Sequence, residues 1–311
     1  MRKKRFFFLA ATLVFFLCTG AKSFALTPIP ADPLDILNYP VERWRDRRFE
    51  LFSWDRFPEI LIFDIAAFEI QDRLFKRLAF FVEKTGFRGL LAHDHEIAHL
   101  HGWNAHDYNA PDLAVFFETA RRTNFPLLPE ERELQSILLA NGIIGRNAAS
   151  QIVPGRGAVL SISRQSSTDL RRRFMVHEGF HGLYFLDEDF RNFTRLRWDI
   201  FPQEGINLLL LFFDIQAYDI SEPELLLKEF KAHVLQLPVT EASWYFGQHL
   251  PNRLLEVNPL NRRYLPVREE IRGGRPFFPD LARIFTEEAG VFSRYVNDRW
   301  GLAAGRVWRS P

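Results

Sequence analysis

A single cysteine among 311 residues, Cys18, constrains this chain more than any other feature. With no second thiol in the chain, no intramolecular disulfide can form, so a folded state must be held by a packed apolar core. Material for that core is present, since 47% of the residues are hydrophobic and 32 are phenylalanine. Cys18 itself falls in a segment that reads as a targeting signal. Arg2, Lys3, Lys4 and Arg5 form a basic head, Phe6 to Leu17 is an apolar run, and Ser23-Phe24-Ala25 suits cleavage after Ala25. The run is too short for a permanent membrane span. Bulky Phe16 and Leu17, just before Cys18, argue against a lipid-anchored cysteine. The expectation is an exported bacterial protein, periplasmic or extracellular, with no stable membrane anchor.

Removing residues 1–25 takes away five Lys/Arg and no acid, so the charge balance moves from +1 to −4. A near-neutral chain of this kind does not suit nucleic acid as a partner. No repeat or low-complexity tract divides the remainder. Residues 26–45 are marked by prolines and read as extended. Glu59 to Ile65 reads as a buried strand, and Glu69 to Lys84 as an amphipathic helix with Leu74, Leu78 and Phe81 on one side, stopped by Gly86. Pro111–Arg122 and Pro129–Asn141 read as helices, and Ala158–Ser163 as a strand running directly into the next helix. Ser166 is the expected cap of that helix, with Asp169 three residues on, and the helix should run to about Tyr184. Further helices are expected near 206–217, 223–237 and 280–294. The apolar stretch Ile206–Phe213 is too short to cross a membrane and reads as a buried helix. The fold class is α+β, with a small sheet preceding the active-site helix and a mostly helical second half. An N-terminal lobe, 26–157, carries a histidine-rich loop. A second lobe, 158–311, carries the active-site helix and a tail.

That helix holds His177-Glu178-Gly179-Phe180-His181. Histidines four apart lie one turn apart on the same helical face, where both imidazoles can reach one ion. Zn²⁺ accepts such ligands at about 2.0–2.1 Å. Glu178 is rotated off the ligating direction and can take the proton of a water whose pKa the metal lowers to about 7. The pattern resembles the zincin superfamily of zinc metallopeptidases, whose motif is His-Glu-x-x-His on a helix. The resemblance covers the motif and its context. It implies zinc as cofactor, a peptide or protein substrate, and hydrolysis of peptide or amide bonds with Glu178 as general base. By the same analogy, Val159–Ser163 would pair with an extended substrate.

A catalytic zinc needs a third protein ligand. Glu229, on the helix opened by Ser221 and Pro223, is the first candidate, with His233 one turn further along to orient the ligand or stabilise charge on the substrate. A glutamate from a later helix looks like the gluzincin branch. There it follows the motif by about twenty residues, whereas Glu229 follows His181 by 48. Glu204, at 23, is closer to that spacing, but Pro202 and Gly205 put it in an expected loop. Tyr245 and His249 are further candidate donors to the substrate, and Arg171, Arg172 and Arg173 read as a solvated basic face.

The motif occurs twice. His95-Glu96-Ile97-Ala98-His99 lies in a stretch that also holds His93, His101 and His106, and Glu118 follows His99 by 19. Asp94 before the first histidine and Gly102-Trp103-Asn104 soon after the second make a poor buried helix, so the site is assigned to the second motif. Trp103 to Tyr108 is expected as a loop lining the cleft. Two other readings stand beside the enzyme. One is a non-catalytic exported metal-binding protein using histidines 93–106, and the other is an inactive zincin-like binding module.

Overall fold

The computed structural model describes residues 26–309; the expected signal segment lies outside them. In chain order the elements are β1 (Ile29–Ala31), α1 (Pro33–Asn38), β2 (Phe49–Trp54), β3 (Phe57–Ile65), α2 (Phe68–Glu83), α3 (Asp94–Ile97), β4 (Ala105–Asn109), α4 (Ala110–Thr123) and α5 (Pro129–Ala140). A hairpin of β5 (Ile144–Arg146) and β6 (Ile152–Pro154) leads to β7 (Ala158–Ser163) and the long helix α6 (Thr168–Leu186). Then come α7 (Glu188–Asp199), α8 (Gln203–Ile215), α9 (Pro223–Leu235), α10 (Val239–Trp244) and α11 (Leu250–Val257). A second hairpin, β8 (Glu270–Arg272) and β9 (Arg275–Phe277), precedes α12 (Pro279–Trp300). The class is α+β, as expected. No helix among the described residues is long and apolar enough to cross a membrane.

The five-stranded sheet has the order β1-β2-β3-β7-β4, with β3 and β7 parallel and β4 antiparallel to β7. Strand alternation assigns its two faces. Ile60, Ile62, Leu160 and Ile162 point to one side, where Met175, Val176, Phe180 and Leu183 of α6 and the later helices pack on them. Leu61, Phe63, Ile65 and Val159 point to the other, against Leu74, Phe75 and Leu78 of α2, Phe116 and Phe117 of α4, and Leu134 and Leu138 of α5. Two cores therefore lie on opposite faces of one sheet, and each draws residues from both sides of position 158.

This topology corrects the role expected for β7. It is hydrogen-bonded on both edges, to β3 and to β4, so it has no free edge for a substrate. β4 is the edge strand, and its residues Ala105 to Tyr108 are buried. The stretch expected as a loop is thus a strand from Ala105 onward. Its alternation sends His106 and Tyr108 into the second core, where His106 Nδ1 lies 2.9 Å from the Tyr108 hydroxyl. Asp107 points to the opposite face, toward α6.

α6 begins one residue later than expected. Ser166 closes a turn by donating its N–H to Ser163 O, and Ser167 caps the helix by accepting from Leu170 N at 3.4 Å. Arg171 also departs from expectation. It is buried and donates to Asp64 Oδ1 of β3 at 2.8 Å, tying the first turn of α6 to the sheet, while Arg172 is exposed. The glycines of the motif region allow close packing. A Cβ on Gly182 would lie 2.9 Å from Ile60 Cδ1, and one on Gly179 would lie 3.1 Å from Val307 Cγ1.

Candidate metal centre

α6 and α9 pack against each other and bring four predicted residues together. His177 and His181 project from one face of α6 with ring centroids 4.7 Å apart. Glu229 and His233 project from α9, whose residues Leu227 to Leu235 are all buried. His177 Nε2 lies 3.4 Å from Glu229 Oε2, and His181 Nε2 lies 3.6 Å from Glu229 Oε1. Around a tetrahedral ion with bonds of about 2.0–2.1 Å, neighbouring ligand atoms sit roughly 3.3 Å apart. One donor atom from each of the three residues falls within 4.8 Å of the others.

Protein partners leave this set incomplete. His181 Nε2, Glu229 Oε2 and Glu178 Oε2 are buried without a hydrogen bond. Buried polar atoms are rarely left so, and the residues that carry these three could hold a metal ion. Protonation suits a cation as well. Burial pushes the Glu229 carboxyl up, but the adjacent His177 and the charge of Lys228 outweigh it and bring it down to about 2. Burial, then the neighbouring Lys231, holds His181 well below its ordinary value, in the neutral form a ligand needs. Burial and the adjacent His177 likewise bring His233 down to about 3. Burial, with Asp107 and Glu229 close by, pushes Glu178 well above the usual carboxylate range.

His233 Nε2 is 3.8 Å from Glu229 Oε2, and its Nδ1 is 3.2 Å from the Gln236 amide nitrogen. An amide nitrogen only donates, so Nδ1 accepts and Nε2 carries the proton on the side of the cluster. Tyr245 and His249 stack on each other with centroids 5.4 Å apart in the turn after α10.

Beneath the ligands lies a buried ionic layer that sequence reading missed. Lys228 Nζ sits 2.8 Å from Glu83 Oε1 of α2, 3.0 Å from Asp107 Oδ2 of β4 and 3.8 Å from Glu229 Oε1. Burial alone would depress Lys228, but Asp107, Glu83 and Glu229 together raise it well above its ordinary value. Lys231 Nζ lies 2.9 Å from His181 Nδ1, with Asp107 Oδ2 3.5 Å from the same atom. Burial brings Lys231 down to about 7 against the pull of Asp107 and Glu229. Asp107, Glu178 and His181 form a second cluster of donors. There Asp107 already faces the Lys228 ammonium, which leaves His177, His181 and Glu229 as the better cation site. The available signal was two lysines on a helix otherwise buried all round.

The first motif is not assembled. Only Asp94–Ile97 is helical, His95 and His99 are exposed, and Glu96 turns back to accept from His93 N at 2.6 Å. Glu118 pairs with Arg121 at 2.6 Å and caps Ile152 N. Glu204 is exposed in the first turn of α8, a helix rather than the expected loop. Trp103 does reach the ionic layer, donating from Nε1 to Glu83 Oε2 at 2.8 Å. No protein-family model, no curated protein and no solved structure matches this chain.

Proposed function

We propose that this protein is a zinc-dependent metallohydrolase of zincin type that cleaves peptide or amide bonds. The observation that carries the reading is the convergence of His177, His181 and Glu229 around three buried atoms with no protein partner. These three residues would hold the metal, and Glu178, His177's neighbour on α6, brings a carboxylate oxygen within 4.8 Å of a His181 ring nitrogen. Zinc bound there would supply Lewis acidity, polarising a carbonyl and easing loss of a proton from water. Glu178 takes that proton at Oε2 and returns it to the departing nitrogen. Its raised affinity for a proton, set by burial and by Asp107 and Glu229, suits the return step. His233 presents an N–H beside Glu229 and serves as a hydrogen-bond donor to the ligand or to an oxygen gaining charge. The buried Lys228 layer fixes Glu229 from behind, in the way that outer carboxylate and cation partners orient metal ligands. A motif helix packed on a mixed sheet that ends in an antiparallel edge strand adds to the likeness. Export rests on the sequence of residues 1–25.

Metal content by mass spectrometry tests this on wild type, His181→Ala and His99→Ala purified without chelator. The expected result is about one zinc per chain, lost in His181→Ala and kept in His99→Ala. Loss in His99→Ala alone would transfer the site to the first motif. Absence of zinc from all three would end the hydrolase reading.

A further inference from the structure

Resting on the metal-site reading, we propose that the connection 216–222 between α8 and α9 is a lid, and that it opens to join the ligand cluster to the neighbouring cleft. The ligands are closed off as the chain stands, with His181 and Glu229 no more than 1% exposed and Glu178 at 5%. A wall of rings runs from the connection down to them. Trp103 stacks on Tyr218 at 4.8 Å, Tyr218 meets Phe213 at 5.8 Å, Phe213 meets His233 at 5.5 Å, and His233 meets His177 at 4.8 Å. Tyr218 is therefore the one side chain of the connection that reaches inward. Gln216, Ala217, Ile220 and Ser221 face solvent.

Beyond the Tyr218 ring, the attachment is a latch of polar contacts to the end of α2. Lys84 and Tyr218 form an isolated antiparallel bridge, with Thr85 N donating to Ala217 O at 3.2 Å and Asp219 N donating to Glu83 O at 3.0 Å. Thr85 Oγ1 donates to Tyr218 O at 2.9 Å, and Lys84 Nζ to Gln216 O at 3.2 Å. Arg88 pairs with Glu222 at 2.5 Å at the far end. Ala217 is held at φ 59°, a left-handed conformation that strains a residue with a Cβ. Only Tyr218 of this segment packs on the core, and Gln216, Ala217, Ile220 and Ser221 are exposed; short segments anchored this sparsely are the ones that open locally. A cleft of about 750 Å³ flanks the same latch, lined by Arg88, Glu222, Leu225 and Lys228 among others. Lys228 lines this cleft and also lies 3.8 Å from Glu229. Lifting 216–222 would therefore open the ligand cluster directly into it.

Lys84 and Tyr218 are a non-hydrogen-bonded antiparallel pair, the spacing at which a disulfide closes without strain. The test uses the full chain with Cys18→Ser and the pair Lys84→Cys/Tyr218→Cys, compared oxidised and reduced. Two rates are read. One is release of bound cobalt to a chelator. The other is labelling of His177, His181 and His233 by diethyl pyrocarbonate in metal-free protein, with exposed His93, His95 and His99 as internal controls. Oxidation should slow both by about tenfold or more, reversibly. Tyr218→Ala, with the latch loosened, should speed both. Equal rates in the oxidised and reduced forms, or unchanged rates in Tyr218→Ala, would overturn the lid. A chain that binds no metal yet shows gated labelling would keep the lid and sink the metallohydrolase. Metal binding with ungated labelling would do the reverse.

Discussion

Replacing Lys228 with Met should destabilise the metal-free protein by about 3–5 kcal/mol, the cost of removing one partner from a buried ion pair. The structure sets the size. Lys228, Glu83 and Asp107 are all less than 10% exposed, and the ammonium lies 2.8 and 3.0 Å from the two carboxylates. Asp107 Oδ2 meets it off the hydrogen-bonding direction, so charge rather than a directed bond holds that contact. Without Lys228, two carboxylates remain inside with Glu229 nearby, and methionine restores only the volume. The loss is a large part of the 5–15 kcal/mol typical of a domain. Its pH dependence follows from sign. Burial already raises Asp107 from 3.8 to about 8, and raises Glu83, even with Lys228 present. A group whose folded-state pKa is raised keeps its stability below the unfolded value and loses it as pH climbs through the folded one. The variant's deficit should therefore be smallest at about pH 4 to 5 and grow as pH climbs through about 8. Urea unfolding in chelator at pH 8 and pH 5 measures it. The double variant Glu83→Gln/Lys228→Met should regain part of the loss, because one orphaned charge is gone. A loss below about 1 kcal/mol at pH 8, or a larger one at pH 5, would refute the reasoning.

Glu178→Gln should keep the fold and the metal and lower peptide hydrolysis by about 10²–10⁴-fold, the usual contribution of a positioned base; undiminished turnover would remove Glu178 from the mechanism. Gly182→Leu should cost about 1–3 kcal/mol, because its Cβ alone would come 2.9 Å from Ile60 Cδ1 on the sheet. A denaturation midpoint equal to wild type would show that α6 can move off β3. Arg171→Met should cost about 1–3 kcal/mol, since Asp64 is fully buried and burial raises it despite both arginines, yet Arg164 remains paired with it. Calorimetry would expose the error if the variant melted with wild type.

What was legible in the sequence is what depends on residues close together in the chain. The spacing of His177 and His181 fixes their common face wherever α6 packs, and the same holds for Glu229 and His233 on α9. In the sequence Glu229 is preferred to Glu204 because Pro202 and Gly205 read as a loop; Glu204 instead lies in the first turn of α8, and its exposure keeps it from the cluster. The strand ends came within two residues, whereas α8 starts three residues before the expected 206 and α12 runs six past the expected 294; the expected cap at Ser166 yields to Ser167 because Ser166 is used to close the turn after β7.

The features that escaped belong to pairings across long stretches of chain. β7 looked like a substrate-facing edge because a strand's neighbours are not written in its own residues; β4, some fifty positions earlier, takes the edge and leaves β7 interior. That single topological fact also turns Asp107 toward α6, by the alternation that sends His106 and Tyr108 the other way. Glu83, at the last turn of α2, looks by local context like a solvated helix-end charge, and Lys228, in the middle of α9, like a solvated helix charge. They are buried only because the edge strand brings a third charge between them. A lone lysine would not remain buried and charged; Asp107, Glu83 and Glu229 together hold Lys228 so. The ionic layer behind Glu229 is thus a property of the assembled sheet and helices, and so is the geometry it imposes on the ligand.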